Sequence, residues 1–174
     1  MHWSIVRPDE RPAARTIRRV GGWFMLDGSL PFKSHISSFW VRETGIEDDD
    51  LLDLGDLPRL NAAELGYTQL TDRGVAKIRD YQNLEYVFLW GTRITDRTIE
   101  TLIQMPWLRL VNVSHTQITK DGFDTLCESL PNCLVSHTEF GTMFRDRGTP
   151  DSYSAWLEIG EPSDEPKRKR RLGS

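Results

Sequence analysis

Residues 84–107 read LEYVFLWGTRITDRTIETLIQMPW. The segment Val87-Phe88-Leu89 alternates in the manner of a short strand, whereas Ile99, Leu102 and Ile103 follow the spacing of three and four that marks one face of a helix. A strand followed at once by a helix within about two dozen residues is typical of one unit in a repeat architecture.

The same pattern recurs every 24 residues along the chain. The recurring positions are a threonine (Thr44, Thr68, Thr92, Thr116), two strand positions (Phe39, Ala63, Val87, Val111 and Val41, Leu65, Leu89, Val113) and a helix position (Leu51, Val75, Ile99, Phe123). Because these positions agree in four consecutive registers without a gap, the sequence predicts stacked repeats in which equivalent side chains meet in continuous rows.

Written out, the recurring positions spell L-x-x-L-x-L-x-x-T-x-I-T-D, followed by a helix and then by Leu57-Pro58 or Met105-Pro106. Over roughly residues 36 to 135 this pattern resembles the leucine-rich repeat, in the subtype with Thr where others have Asn or Cys. The resemblance implies the α/β class: a right-handed leucine-rich-repeat solenoid with a parallel concave β-sheet and short convex helices. It implies interaction scaffolds in general and indicates no particular partner.

Three segments are predicted. Residues 1–34 form an N-terminal helix-strand cap, with a helix at 12–20, a strand at Trp23–Leu26, and the role of covering the first repeat's strand edge. Residues 35–138 hold four repeats and a terminal strand. Residues 139–174 form a C-terminal extension, largely disordered from about 162. In it, Tyr153–Ile159 is an apolar island that either caps the open end of the array or is a linear motif that folds on binding.

Two rows of hydroxyls are predicted to have structural roles. The first threonine row is expected to be buried and to bond the turn backbones of adjacent repeats. A second row, Thr71, Thr95 and Thr119, is placed to cap the helices. Asp72 and Asp96 follow it, where a negative charge favours the positive end of a helix.

The strand residues that point away from the core define the predicted binding surface on the concave side. Many are aromatic, and the predicted contacts are Trp40, Arg42, Glu64, Tyr67, Tyr86, Phe88, Trp90, Leu110 and Asn112. Since Trp and Tyr offer large contact area at low rotamer cost, this surface predicts non-catalytic binding of a protein partner. The alternative is that the cap loop or the C-terminal extension folds over this face.

Charge and composition limit the kinds of partner and the cellular location that the sequence predicts. A net charge of −4 gives no electrostatic case for nucleic acid over the whole chain. The run Lys167–Arg171 is a solubilising tail, a contact for nucleic acid or an acidic surface, or a nuclear import signal. The chain lacks a membrane-length apolar run and a secretory signal, so no membrane contact is expected. The predicted location is cytoplasmic, or nuclear if the tail is an import signal.

No metal, cofactor or catalytic activity is predicted. Cys127 and Cys133 lack the close pairing of zinc ligands and are expected to be reduced core residues, with His115 and His137 on the surface. The acidic stretch around Asp48–Asp50 lacks the glycine and distal glutamate of a calcium loop and predicts a solvated convex face. No nucleophile elbow, phosphate loop or paired catalytic carboxylates occur. The alternative functions are a substrate-recognition or targeting subunit of a larger complex, with the basic tail as its contact, and a self-associating structural protein.

Overall fold

The computed structural model describes residues 5–28 and 34–143. This part of the chain is α/β, with one seven-stranded sheet whose strands follow one another in chain order. The strands are β1 (Trp23–Leu26), β2 (Ile36–Trp40), β3 (Ala62–Glu64), β4 (Tyr86–Phe88), β5 (Leu110–Asn112), β6 (Leu134–His137) and β7 (Gly141–Met143). The helices are α1 (Arg11–Arg19), α2 (Asp48–Leu52), α3 (Asp72–Val75), α4 (Arg97–Leu102) and α5 (Lys120–Ser129), and a 3-10 helix spans Ala76–Asp80.

The 24-residue period of the sequence sets the register in which neighbouring strands pair. Strands β2 to β6 are parallel, and the pairing joins Ser38 to Ala62, Tyr86, Leu110 and Leu134 in turn. Because side chains alternate between the two faces of a strand, this register keeps every equivalent residue on the same face. The prediction of a parallel sheet needs one correction, since β1 and β7 pair antiparallel with their neighbours and the sheet is mixed.

One face of the sheet packs against the helices and forms the core. The strand positions Phe39, Ala63, Val87 and Val111 are completely buried, as the repeat pattern predicts. The helix positions Leu51, Val75, Ile99 and Phe123 are buried with them in one contiguous cluster. Three-residue strands suffice here because each core side chain meets its equivalents on the neighbouring strands.

The first threonine row closes the turn that follows each strand. Each hydroxyl donates to the carbonyl three residues earlier in its own repeat, at 2.5–2.7 Å. The predicted bonds to adjacent repeats were therefore wrong. The reason is local: the residue before each threonine has a left-handed backbone, with φ of 57° at Glu43, 50° at Tyr67, 66° at Gly91 and 54° at His115. This conformation turns the chain so that each hydroxyl faces the carbonyl that directly follows its own strand.

Contacts between repeats come instead from a row of aspartates. Asp48 accepts from the N–H and hydroxyl of Thr71 at 2.8 and 2.6 Å. Asp72 makes the same pair of bonds to Thr95, and Asp96 makes them to Thr119. Each aspartate therefore joins its helix start to that of the next repeat. Burial disfavours the Asp48 carboxylate, but hydrogen bonds from Thr71 and Arg73 outweigh this effect and hold its pKa below its ordinary value.

The aspartate row explains two glycines at helix starts. A Cβ atom at Gly74 would lie 2.4 Å from Asp48 Oδ1, and one at Gly122 would lie 2.2 Å from Asp96 Oδ1. In the repeat between them, Thr98 takes the equivalent place and donates its hydroxyl to Asp72. The sequence expectation that Thr71 and Thr119 cap helices is confirmed by their bonds from the N–H groups of Arg73 and Gly122.

The N-terminal segment is joined to the sheet by a buried carboxylate that the sequence did not indicate. Glu10 is completely buried, accepts from the N–H of Ile36 at 2.6 Å, and bonds His35 Nδ1 at 2.5 Å. This places α1 over the start of β2, and β1 pairs antiparallel with β2. Strand β7 lies within the predicted C-terminal extension, where no strand was expected.

Two predicted features, the apolar island Tyr153–Ile159 and the basic run Lys167–Arg171, lie outside the described residues. So does the region expected to be disordered from about residue 162. In residues 5–28 and 34–143, no helix has the length and apolar character needed to cross a membrane.

Candidate functional site

The sheet face opposite the core carries the predicted binding residues. We call it the aromatic face and define it by Trp23, Met25, Trp40, Tyr86, Phe88 and Trp90. Its first strand is β1, because the register sets Trp23 beside Trp40 and Met25 beside Ser38. The Trp23 and Trp40 rings stack with centroids 3.7 Å apart and planes inclined by 3°. Sequence reasoning assigned β1 only to the cap, although the alternation of Trp23 and Met25 with buried Phe24 was the signal for a shared face.

At the turn end of the strands, five residues from three neighbouring repeats pack together. The Trp90 ring lies on Gly66, where a Cβ atom would be 2.0 Å from Trp90 Nε1. That nitrogen donates to Glu64 Oε1 at 2.7 Å. The Arg42 guanidinium lies over the Trp90 ring, 5.2 Å from its centroid, and the Tyr67 ring is 5.1 Å away at a tilt of 54°. We call these residues the Trp90 cluster: Arg42, Glu64, Gly66, Tyr67 and Trp90.

Tyr67 is presented to solvent by an unusual backbone. It has a φ of 50° and is 45% exposed. A bulky residue in the left-handed region is strained, so surrounding contacts must hold it there. One such contact is with Gly91, where a Cβ atom would come within 2.4 Å of the Tyr67 ring. The glycine at position 91 therefore leaves room for the exposed ring of Tyr67, one repeat earlier in the chain.

Glu64 is a support within the cluster, contrary to the prediction that it is a surface contact. It is only 7% exposed and accepts from Trp90 Nε1 and from the N–H of Gly66 at 2.9 Å. Burial raises the pKa of its carboxyl, and the two hydrogen bonds and the charge of Arg42 offset this only in part. The buried carboxyl therefore fixes the tilt of the Trp90 ring.

Glu64→Gln is expected to stabilise the protein at pH 7. Because the pKa of Glu64 is raised on folding, its protonated form contributes stability that is fully present below the unfolded pKa and is lost as pH rises through the folded pKa. Glutamine keeps the acceptor oxygen and removes the charge. The free energy of unfolding, measured with urea, should rise by about 1 kcal/mol at pH 7 and hardly change at pH 4.

The matched control for this prediction is Glu128→Gln. Glu128 is exposed on α5, so its replacement should change the free energy of unfolding equally little at both pH values. A loss of stability at pH 7 in Glu64→Gln would show that the charge of Glu64 contributes favourably, contrary to the burial argument.

The other predicted residues divide by exposure. Trp40, Tyr86, Phe88 and Trp90 are half-buried, Arg42 is exposed, and Asn112 is half-buried and accepts from the N–H of Ser114 at 3.0 Å. Leu110 is 3% exposed, so it is not the open contact that was predicted. Along the face, aromatic side chains on β2 and β4 lie on either side of β3. The surface of β3 between them is low and includes Ala62, which is 1% exposed.

Of the residues considered for metal binding, the cysteines lie where they were predicted and His137 does not. Both cysteines are buried, as predicted, and burial raises the pKa of Cys133 to about 12. His137, expected on the surface, is 6% exposed and stacks on Phe140 with centroids 4.1 Å apart. Its burial lowers its pKa. Within residues 5–28 and 34–143 no three His, Cys, Asp or Glu side chains are grouped so that they could hold a metal ion.

Comparison with known proteins assigns no family. No family model matches the chain, and no curated protein matches its sequence. The aromatic face and the Trp90 cluster are therefore the features from which a function can be inferred.

Proposed function

We propose that this chain is a leucine-rich-repeat solenoid that binds a protein partner through the aromatic face, which forms its concave side. The observation that supports the proposal most is a sheet face that carries six large apolar side chains where solvent-facing strands ordinarily carry polar ones. The constant 24-residue register from β2 to β6 supports the solenoid.

The chemistry of this face favours a protein partner. Met25 is 47% exposed and Tyr67 is 45% exposed, so both offer apolar area to a partner. Trp90 is already oriented by its bond to Glu64, and Trp40 is oriented by its stack on Trp23. Aromatic side chains held in place before binding lose little rotamer entropy on contact, which is the property of interface hot spots.

The expected occupant is an extended segment with apolar anchors. Its side chains would pack between the aromatic walls on β2 and β4, over the small floor of β3. Arg42 at the rim is paired with Glu43 at 3.1 Å, so this end of the face is close to neutral. A neutral, apolar peptide segment therefore fits better than a highly charged one.

The decisive variant is Tyr86→Ala with Phe88→Ala, which spares the Trp90 cluster. A photo-crosslinking residue at position 88 in cells would first identify the partner, with position 103 on the helix side as the comparison site. Binding of the purified partner, measured by calorimetry, should weaken at least about 100-fold in the double variant because hot-spot residues each contribute about 2 kcal/mol or more.

The control is Leu52→Ala with Ile103→Ala, which removes two exposed apolar side chains from helical segments of the chain. This variant should keep full affinity, and both variants should keep the circular dichroism of the unchanged chain. Equal binding by the Tyr86/Phe88 variant would refute the proposed site. Crosslinks only between copies of the chain would support self-association instead. A salt-sensitive complex with nucleic acid that is lost on deletion of Pro162–Ser174 would support targeting through the basic tail.

A further inference from the structure

The aromatic face is partly covered at one end. Leu110 and Leu134 extend the outward row that begins at Ser38, yet they are only 3% and 2% exposed. Neither belongs to the contiguous core between the sheet and the helices. Leucine is much larger than Ala62 in the same row, so it is buried to this degree only when neighbouring side chains or other chain lie over it. The β5–β6 end of this face is therefore covered, whereas Tyr86 and Phe88 on β4 are half-buried.

The C-terminal segment leaves the sheet beside this covered end. The last strand, β7, runs antiparallel to β6 and pairs Met143 with Val135, the neighbour of Leu134. From there to Trp40 on β2 the path crosses five strand spacings, about 24 Å. Roughly ten residues connect Met143 with Tyr153 and can span up to about 33 Å when extended. The island Tyr153–Ile159 can thus reach any strand of the aromatic face.

The composition of the island matches this surface. Its sequence, YSAWLEI, has five apolar residues and a single charge, Glu158. The rest of the C-terminal extension after it is highly charged and contains the basic run Lys167–Arg171. Arg42 at the rim of the face is paired with Glu43, and Arg109, the residue before Leu110, is paired with Glu85. A nearly neutral apolar segment is complementary to such a surface, whereas the basic run is not.

We propose that Tyr153–Ile159 binds to the aromatic face of its own chain and lies across Leu110 and Leu134. A segment tethered by a short linker acts at an effective concentration in the millimolar range. If the proposed function holds, the island competes with the external partner, and binding requires its displacement. The intramolecular contact itself does not depend on that partner.

The contact is tested in the full chain with a nitroxide label at Ser154→Cys. The native cysteines are buried, so labelling is selective for the new thiol. The methyl signals of Leu110 and Leu134 should broaden at least about ten-fold more than those of Leu52 on α2. Substitution of Tyr153, Trp156, Leu157 and Ile159 by serine in the same labelled chain should abolish this difference. Equal broadening of all three leucines, or broadening centred on Leu130 at the end of the array, would overturn the proposal.

A second measurement distinguishes this inference from the proposed function. A fluorescent peptide of residues 150–161 should bind the four-serine chain at least about ten-fold more tightly than the unchanged chain, whose face is occupied. Adding Tyr86→Ser and Phe88→Ser to the four-serine chain should remove peptide binding, whereas adding Leu52→Ser and Ile103→Ser should not. If the peptide binds as expected but no external partner is found, the intramolecular contact is supported and the proposed function is refuted. If an external partner binds but the peptide has equal affinity for the unchanged and the four-serine chain, the proposed function is supported and the intramolecular contact is refuted.

Discussion

Asp72→Ala is expected to lower the free energy of unfolding by about 3 kcal/mol. Asp72 accepts from the N–H and hydroxyl of Thr95 at 2.8 and 2.7 Å and from the hydroxyl of Thr98 at 2.5 Å. Hydrogen bonds to a charged group contribute about 1.5–3 kcal/mol each, with losses that overlap when one acceptor serves several donors. Thr98 is completely buried, so its hydroxyl would be left without its acceptor and without water.

Urea denaturation of Asp72→Ala beside Asp53→Ala measures this effect. Asp53 is exposed at the end of α2, and its replacement should change the free energy of unfolding by less than about 0.5 kcal/mol. A double-mutant cycle of Asp72→Ala with Thr98→Val should give a coupling of about 1 kcal/mol or more if the bond between repeats is real. A loss below about 1 kcal/mol in Asp72→Ala would mean that apolar packing alone holds the repeats together.

The aspartate row shows where sequence periodicity stops being informative. The spacing of Thr-Asp pairs placed Thr71 and Thr119 correctly at helix starts, but α4 starts one residue later, with Asp96 as its N-cap. The prediction of a solvated face was wrong for Asp48, which is 8% exposed. The spacing assigned Asp72 to its own helix because a one-dimensional pattern contains no contact between repeats. The row also explains why the last repeat needs no aspartate at this position. Lys120 stands at the fourth aspartate position and pairs instead with Asp124 in its own helix, where no further threonine follows to be bonded.

The sheet register was predictable and its two edges were not. The period fixes β2 to β6 because every core position repeats, but β1 and β7 lie outside the period and pair antiparallel. Alternation also predicted which side each strand residue faces. It could not predict exposure, because Glu64 is covered by the Trp90 ring of the neighbouring strand and Leu110 is buried although it lies on the outer face. For Glu64 a signal did exist: Gly66 stands one repeat before Trp90, and a small residue beside a large one allows the ring to lean over the neighbouring strand.

The coupling of Glu64 to Trp90 makes Trp90 the residue of the aromatic face with the largest effect on folding. Trp90→Ala should lower the free energy of unfolding by about 3 kcal/mol, near the lower end for large aromatic residues because Trp90 is half-buried. Trp90→Phe keeps a smaller ring over Gly66 and removes the Nε1 donor to Glu64, so its cost should be about 1.5 kcal/mol. A test of partner binding that uses Trp90→Ala would therefore confuse binding with folding.

The pH dependence of Trp90→Phe separates the hydrogen bond from the loss of ring area. At pH 7 the variant leaves a buried Glu64 carboxylate with one donor fewer, whereas at pH 4 its raised pKa keeps the group protonated and the donor matters less. The cost measured by urea denaturation should thus be larger at pH 7 than at pH 4. Trp107→Phe is the matched control, since the buried Trp107 Nε1 has no hydrogen-bond partner within the described residues. If both variants show the same cost at both pH values, the indole nitrogen of Trp90 does not hold Glu64, and the ring is positioned by packing on Gly66 alone.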